Sequence, residues 1–161
     1  VTSIKPLGAV PKKGKKEKAK NYSLMNEAKA SKRESTLWRW VSLFVRLSAV
    51  PSDETYGFAI CFTCGARKHY KEMDAGHCLS RRHKNTKYHE DNLRCQCVHC
   101  NRNLYGNVAE FEKRLGLEIV NKLKALTKLP AKKMPLWEVE AKIAEYRQKA
   151  KDEAYRVGVT L

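Results

Sequence analysis

Two stretches decide how this chain folds: residues 56–78, YGFAICFTCGARKHYKEMDAGHC, and residues 92–107, NLRCQCVHCNRNLYGN. Each carries a Cys-x-x-Cys pair, Cys61/Cys64 in the first and Cys97/Cys100 in the second, with 32 residues between the pairs. Two residues between thiolates let both sulfurs converge on one ion, and two such pairs complete the four tetrahedral positions of Zn²⁺. Thiolates favour zinc or an iron–sulfur centre over hard cations. With no open position left, the ion is expected to be structural and to add to the folding free energy. The alternative is a set of buried free thiols. Cys78 and Cys95 lie outside the pairing, although Cys95, two residues before Cys97, could compete as a ligand. All six cysteines fall between positions 61 and 100. The flanking chain is long, helical in pattern and Lys-rich, so metal coordination accounts for them better than a disulfide framework.

Working outward, residues 56–78 read as two short strands with the first Cys-x-x-Cys turn, ending in Gly65, between them. Residues 79–91 are polar and basic and read as a loop. Residues 92–107 lead from a strand or loop through a turn to a helix start. Val108, Phe111, Leu115, Ile119, Leu123 and Leu126 then recur at helical spacing, predicting a helix over 108–126. A last helix is expected over 136–156, after Pro135, with a stripe of Leu136, Val139, Ile143, Tyr146 and Ala150. Upstream, Ser35 or Thr36 is expected to cap a helix that runs to Ala49, with Leu37, Val41, Phe44 and Val45 on its apolar side and Pro51 closing it. Its Trp residues read as core. The expected fold is a small α+β protein. Its zinc-stapled ββα core is embraced by one N-terminal helix and two C-terminal helices. The expected division is a basic arm at 1–34, a zinc-bearing domain at 35–126 and a helical extension at 127–161.

The charge balance names the partner. The chain of 161 residues carries 33 Lys and Arg against 17 Asp and Glu, a formal charge of +16. That points to a polyanion, nucleic acid first. Residues 1–34 hold ten Lys or Arg against three Glu and read as a solvated, phosphate-contacting arm, with Lys12, Lys13, Lys15 and Lys16 at its centre. Arg81, Arg82, Lys84 and Lys87 form a second basic segment, and Arg102 follows the last cysteine; all are expected to contact DNA. No apolar run approaches the roughly 18–20 residues of a membrane span. VTSIKPLGAVPKKGKKEK lacks the apolar core of a secretory signal. A cytoplasmic setting is therefore expected. Because the chain starts at Val1, it reads as processed, truncated or partial.

A zinc ribbon alone would explain binding, not chemistry. Between the cysteine pairs stand Asp74-Ala75-Gly76-His77 and Asn92-Leu93, and Asn101 follows Cys100 directly. These types suit a metal-assisted phosphodiesterase. A His can take a proton from water near neutral pH. Oxygen donors can hold a Mg²⁺ that neutralises the scissile phosphate and the leaving oxygen. An Asn amide can fix the His ring and its tautomer.

The order His77, Asn92, Asn101 inside paired zinc cysteines resembles the HNH (ββα-metal, His-Me finger) nucleases. The nearer resemblance is to the NinG/Rap recombination nucleases of lambdoid phages. It is carried by Cys61-x-x-Cys64-Gly65, Asp74-Ala75-Gly76-His77, Glu90-x-Asn92-Leu93, Gln96-Cys97-x-x-Cys100-Asn101 and Gly106-Asn107, and it covers about residues 36–156. The Cys-x-x-Cys-Asn layout is also similar to that of the junction-resolving endonuclease of T-even phages. The resemblance implies a Mg²⁺- or Mn²⁺-dependent endonuclease on Holliday junctions and D-loops, leaving a 3′-hydroxyl and a 5′-phosphate. It implies that His77 is the general base, that Asn92 orients its loop, and that Asn101 with an acid near His77 holds the metal. Many HNH nucleases place that acid directly before the base, where this chain has Gly76. Asp74 takes the role here only if Ala75-Gly76 forms a bulge or turn, because residues three apart on a strand face opposite sides.

Two other functions fit parts of the pattern: a zinc-ribbon nucleic-acid binder without catalysis, and an HNH nicking or restriction enzyme. Only the Asp74, His77, Asn92 and Asn101 set separates a nuclease from a binder. Symmetric incision of a junction implies two chains. The 136–150 stripe could serve as a homodimer face or could pack on the chain's own 108–126 helix.

Overall fold

The computed structural model describes residues 13–161 apart from Thr55 and Lys132; of residues 13–24 it describes the backbone alone. The element order is α1 (Lys13–Leu47), β1 (Phe58–Ile60), β2 (Arg67–His69), β3 (Met73–His77), β4 (Leu93–Cys97), α2 (Val108–Leu115), α3 (Leu117–Lys128) and α4 (Leu136–Arg156). The fold is α+β, with two antiparallel two-stranded sheets, β1–β2 and β3–β4.

α1 starts at Lys13, far upstream of the expected cap, and runs through residue 34 without a break. Its Lys, Glu and Ala content favours helix, and no proline interrupts it. Ser35 and Thr36 do not cap it. Their hydroxyls donate back to the Lys32 carbonyl at 2.8 and 3.0 Å, the bond that such side chains make inside a helix. The basic segment from Lys13 to Glu34 is thus the first part of this helix, while Lys12 and the residues before it lie outside the described chain.

Past residue 36 the helix becomes a core element. Leu37, Val41 and Leu47 are fully buried. Each such side chain contributes roughly 1.5–3 kcal/mol. α4 lies along α1 and buries Val139, Tyr146 and Ala150. Within the chain the stripe therefore packs on α1 and not on the 108–128 segment, and Leu136 at its start stays exposed. Arg156 completes the joint: its Nη2 donates to the carbonyls of Leu47 and Val50 at 3.2 and 3.0 Å, groups a helix end leaves without partners.

The expected helix over 108–126 is two helices. Gly116, at φ 91°, closes α2 and opens α3. A β-carbon is disfavoured in that conformation, so glycine supplies the corner that apolar spacing alone does not show. Phe111, Leu115, Val120 and Leu123 fold over it onto Cys78 as one cluster.

The expected pair of strands flanking the first cysteine turn is β1 and β2, in register Phe58↔His69 to Ile60↔Arg67. The Asp-Ala-Gly-His segment belongs to a third strand, β3. It pairs with β4 from Met73↔Cys97 to His77↔Leu93. The backbone then makes a short π-helical turn, His99–Asn103, before α2.

Candidate functional site

The two cysteine pairs meet where the β1–β2 turn touches the end of β4. Within the turn, the Gly65 amide donates to the Cys61 carbonyl at 2.9 Å, and the Phe62 amide ties the turn to the Cys95 carbonyl at 2.8 Å. The Sγ atoms of Cys61, Cys64, Cys97 and Cys100 lie within 4.8 Å of one another. Cys64 and Cys97 are 3.7 Å apart, close to the separation of about 3.8 Å that Zn–S bonds of about 2.3 Å impose in a tetrahedron. The four thiols can hold a zinc ion. The Thr63 hydroxyl and backbone amides around Cys61 favour its thiolate against the cost of burial and bring its pKa down to about 6. Cys95 does not compete as a ligand: it sits outside the cluster, and burial pushes its pKa up to about 12. Cys78 packs under Phe111, and burial raises it to about 11.

A cleft of about 680 Å³ opens on the other side of β3. It is bordered by Trp38 and Ser42 of α1, by Asp74 and His77 of β3, by Ser80 and Arg81 of the loop, and by Asn101, Arg102 and Tyr105 beyond the cysteines. The register of β3 against β4 is unbroken, so no bulge rotates Asp74 toward His77. None is required. β3 has a neighbour on one side only, so its open edge lets side chains from both faces border the same cleft.

His77 is held on two sides. Its ring stacks on the Trp38 indole, with centroids 5.1 Å apart and planes 19° apart. Its Nε2 lies 3.0 Å from the Lys87 carbonyl. A carbonyl can only accept, so Nε2 carries the proton and Nδ1 keeps its lone pair. The tautomer is set by this carbonyl, not by an Asn amide. Burial holds the pKa of His77 below 6.5, helped by the nearby Arg81 and Lys87 charges against the Lys87 carbonyl.

Asn92 is fully buried and does not border the cleft. Its Oδ1 accepts from the Leu79 amide at 2.7 Å, and its Nδ2 donates to the carbonyls of Leu79 and Thr86, each at 3.0 Å. It pins the loop whose Lys87 carbonyl positions His77. Asn101 lies in the π-helical turn ahead of α2, and its Nδ2 donates to Asp74 Oδ2 at 3.0 Å. Arg102 takes both Asp74 oxygens, Nε to Oδ2 and Nη2 to Oδ1, at 2.8 Å each. Burial alone would raise the Asp74 pKa, but Arg102 and Asn101 hold it below the usual carboxylate range.

The expected DNA contacts divide. Arg81, Arg82 and Lys84 are exposed beside the cleft or on its loop. The Lys87 ammonium pairs with Glu34 at 3.0 Å, and Arg102 is engaged with Asp74. Lys13, Lys15 and Lys16 lie in the first turn of α1, with side chains outside the described residues, as all of Lys12 is.

Several residues have a part at the site that the sequence did not assign. Trp38 has helical spacing and reads as core. Gln96 is fully buried on β4, where its Nε2 donates to Thr63 Oγ1 at 3.1 Å and to the Gly106 carbonyl at 2.8 Å. Thr63 in turn lies 3.4 Å from Cys61 Sγ. Gln96 thus joins the cysteine centre to the cleft wall. Gly76 makes room for it, since a β-carbon there would fall 1.9 Å from Gln96 Oε1.

Fold and site define an α+β protein in which a four-cysteine centre able to hold zinc braces a basic cleft. More particularly, the chain belongs to the bacteriophage lambda NinG protein family, which it matches over residues 8–155. Comparison with curated proteins and with solved structures gave no match. No helix among the described residues is long and apolar enough to cross a membrane.

Proposed function

We propose that this protein is a Mg²⁺- or Mn²⁺-dependent HNH endonuclease that cuts branched DNA such as Holliday junctions and D-loops. One observation carries the reading. A neutral histidine with a free Nδ1 borders the same cleft as a carboxylate and an amide 3.0 Å apart, in a chain of net charge +16. The β3–β4 pair, followed by the π-helical turn and α2, supports it as a ββα arrangement.

In this reading His77 Nδ1 removes a proton from the attacking water, while Lys87 and Trp38 keep the ring from turning. The pairing of a carboxylate with an amide suits a hard, oxygen-seeking cation. Asp74 and Asn101 would hold it, and it would supply charge neutralisation at the scissile phosphate and the leaving 3′-oxygen. Arg81, Arg82 and Lys84 hold the DNA backbone. A zinc held by Cys61, Cys64, Cys97 and Cys100 would keep the β1–β2 turn on β4 and would stay outside the chemistry.

The test is a panel of linear duplex, single-stranded, flap, D-loop and four-way substrates with Mg²⁺, run on the parent and on His77→Ala. Preferential cutting of the branched substrates by the parent alone is expected. Binding without cutting on every substrate would leave a zinc-bearing DNA-binding protein. Cutting of linear duplex as fast as junctions would leave a nicking or restriction-type enzyme.

A further inference from the structure

We propose that Arg102 couples the DNA phosphate to the divalent cation. Its guanidinium holds Asp74 while DNA is away and passes to a phosphate when DNA arrives, opening the carboxylate to the metal. This rests on the endonuclease reading above and adds an order to it.

The geometry around Asp74 motivates the exchange. Its Oδ1 accepts from Arg102 Nη2, and its Oδ2 accepts from both Arg102 Nε and Asn101 Nδ2. The guanidinium fork thus covers the edge of the carboxylate that a cation would approach. Asn101 presents an N–H to Asp74, and an N–H is a donor, not a ligand. The amide has to turn and offer its Oδ1 before both residues can face one ion. Arg102 and a divalent cation are therefore alternative occupants of one seat.

Exposure identifies the partner that moves. The Asp74 side chain is 19 % exposed and that of Arg102 65 %. Asp74 is fixed to the strand and Arg102 has solvent to swing through. The guanidinium face turned to solvent is within reach of an arriving phosphate. A phosphate offers the same fork geometry to a guanidinium. The neighbouring Arg46 cannot play this part, because its guanidinium is anchored to the Ser42 and Tyr70 carbonyls at 3.0 and 3.1 Å. Once Arg102 leaves Asp74, the carboxylate lacks its counter-charge and takes a cation more readily. By thermodynamic reciprocity, DNA and metal each then strengthen the other's binding by the same factor.

The experiment measures Mn²⁺ binding by electron paramagnetic resonance, using the zinc-loaded full chain in a His77→Ala background that cannot cut. Three proteins are compared, with and without a four-way junction oligonucleotide: this parent, Arg102→Ala and Asp74→Asn. Arg102→Gln gives a second route to the same readout if the alanine variant folds poorly. In the parent, DNA is expected to tighten Mn²⁺ binding roughly tenfold, within the usual span of coupled sites. Arg102→Ala should bind Mn²⁺ more tightly than the parent without DNA and gain less from DNA than the parent does. An equal DNA-induced gain in the parent and in Arg102→Ala would overturn the exchange and leave the metal site intact, provided Asp74→Asn binds poorly. If Asp74→Asn binds Mn²⁺ as well as the parent, the metal assignment falls and the exchange falls with it.

Discussion

The two sites of this protein lie on one β3–β4 hairpin and are built in opposite ways. The cysteine centre draws its ligands from two short turns, each supplying a pair at fixed spacing. The cleft draws on α1, β3, the loop that follows β3 and the turn that carries Asn101 and Arg102. The first gathers four thiols that can close around one ion. The second has an open edge and pairs its polar groups with one another. A structural site profits from ligands that are local in sequence, whereas a chemical site needs groups from several elements that converge only after packing.

The strongest way to break this contrast is to disable the cysteine centre. Cys100→Ser is expected to lower zinc content and the cooperative unfolding transition together, since a structural zinc's binding energy is folding energy. Elemental analysis beside circular dichroism checks it. A zinc-free variant with an unchanged transition would show that the cysteine centre does not brace the fold.

His77→Ala should do the reverse. Cleavage is expected to fall by about 10²–10⁴, with zinc content and DNA affinity nearly unchanged. Full Mg²⁺-dependent activity in this variant would falsify the base assignment.

The link between the sites can be tested at Gly76. A β-carbon there would collide with Gln96 Oε1, and overpacking of this kind costs roughly 1–3 kcal/mol. Because Gln96 bonds both Thr63 and Gly106, Gly76→Ala should weaken zinc retention and cleavage at once. A variant that damages only one of them would show that Gln96 does not couple the two.

The smallest effect sharpens the cleft alone. With the pKa of His77 held below 6.5 by burial, the rate should rise with pH along a limb whose midpoint lies below 6.5. Stability follows the same sign: below 6.5 the unfolded chain binds the proton that the folded one refuses, so acidification favours unfolding. A limb centred above 6.5 would count against His77 as the base.

Much of the architecture was legible in the chain because it is written in short-range patterns. The two Cys-x-x-Cys pairs announced a cysteine centre, since their chemistry needs only two residues of spacing. The apolar stripe at 136–150 announced a helix, and the turn at Gly65 separated two strands. The same local reading failed where a pattern has two physical meanings. Ser35 and Thr36 look like caps, yet inside a long helix their hydroxyls return to the Lys32 carbonyl. Val108 to Leu126 keeps helical spacing across a glycine corner, because the chain turns there without losing its apolar side.

By itself, then, the sequence determined the cysteine centre, the α+β class, the basic charge and the identity of the polar residues between the cysteines. Only the tertiary structure decided that α4 lies on α1, that the Lys87 carbonyl sets the His77 tautomer, and that Asp74 is held by Arg102. The reason is range. Spacing and periodicity report contacts a few residues apart, while each of those three pairings joins residues at least ten positions apart, and hydrogen bonds and packing over such distances are set by how whole elements meet.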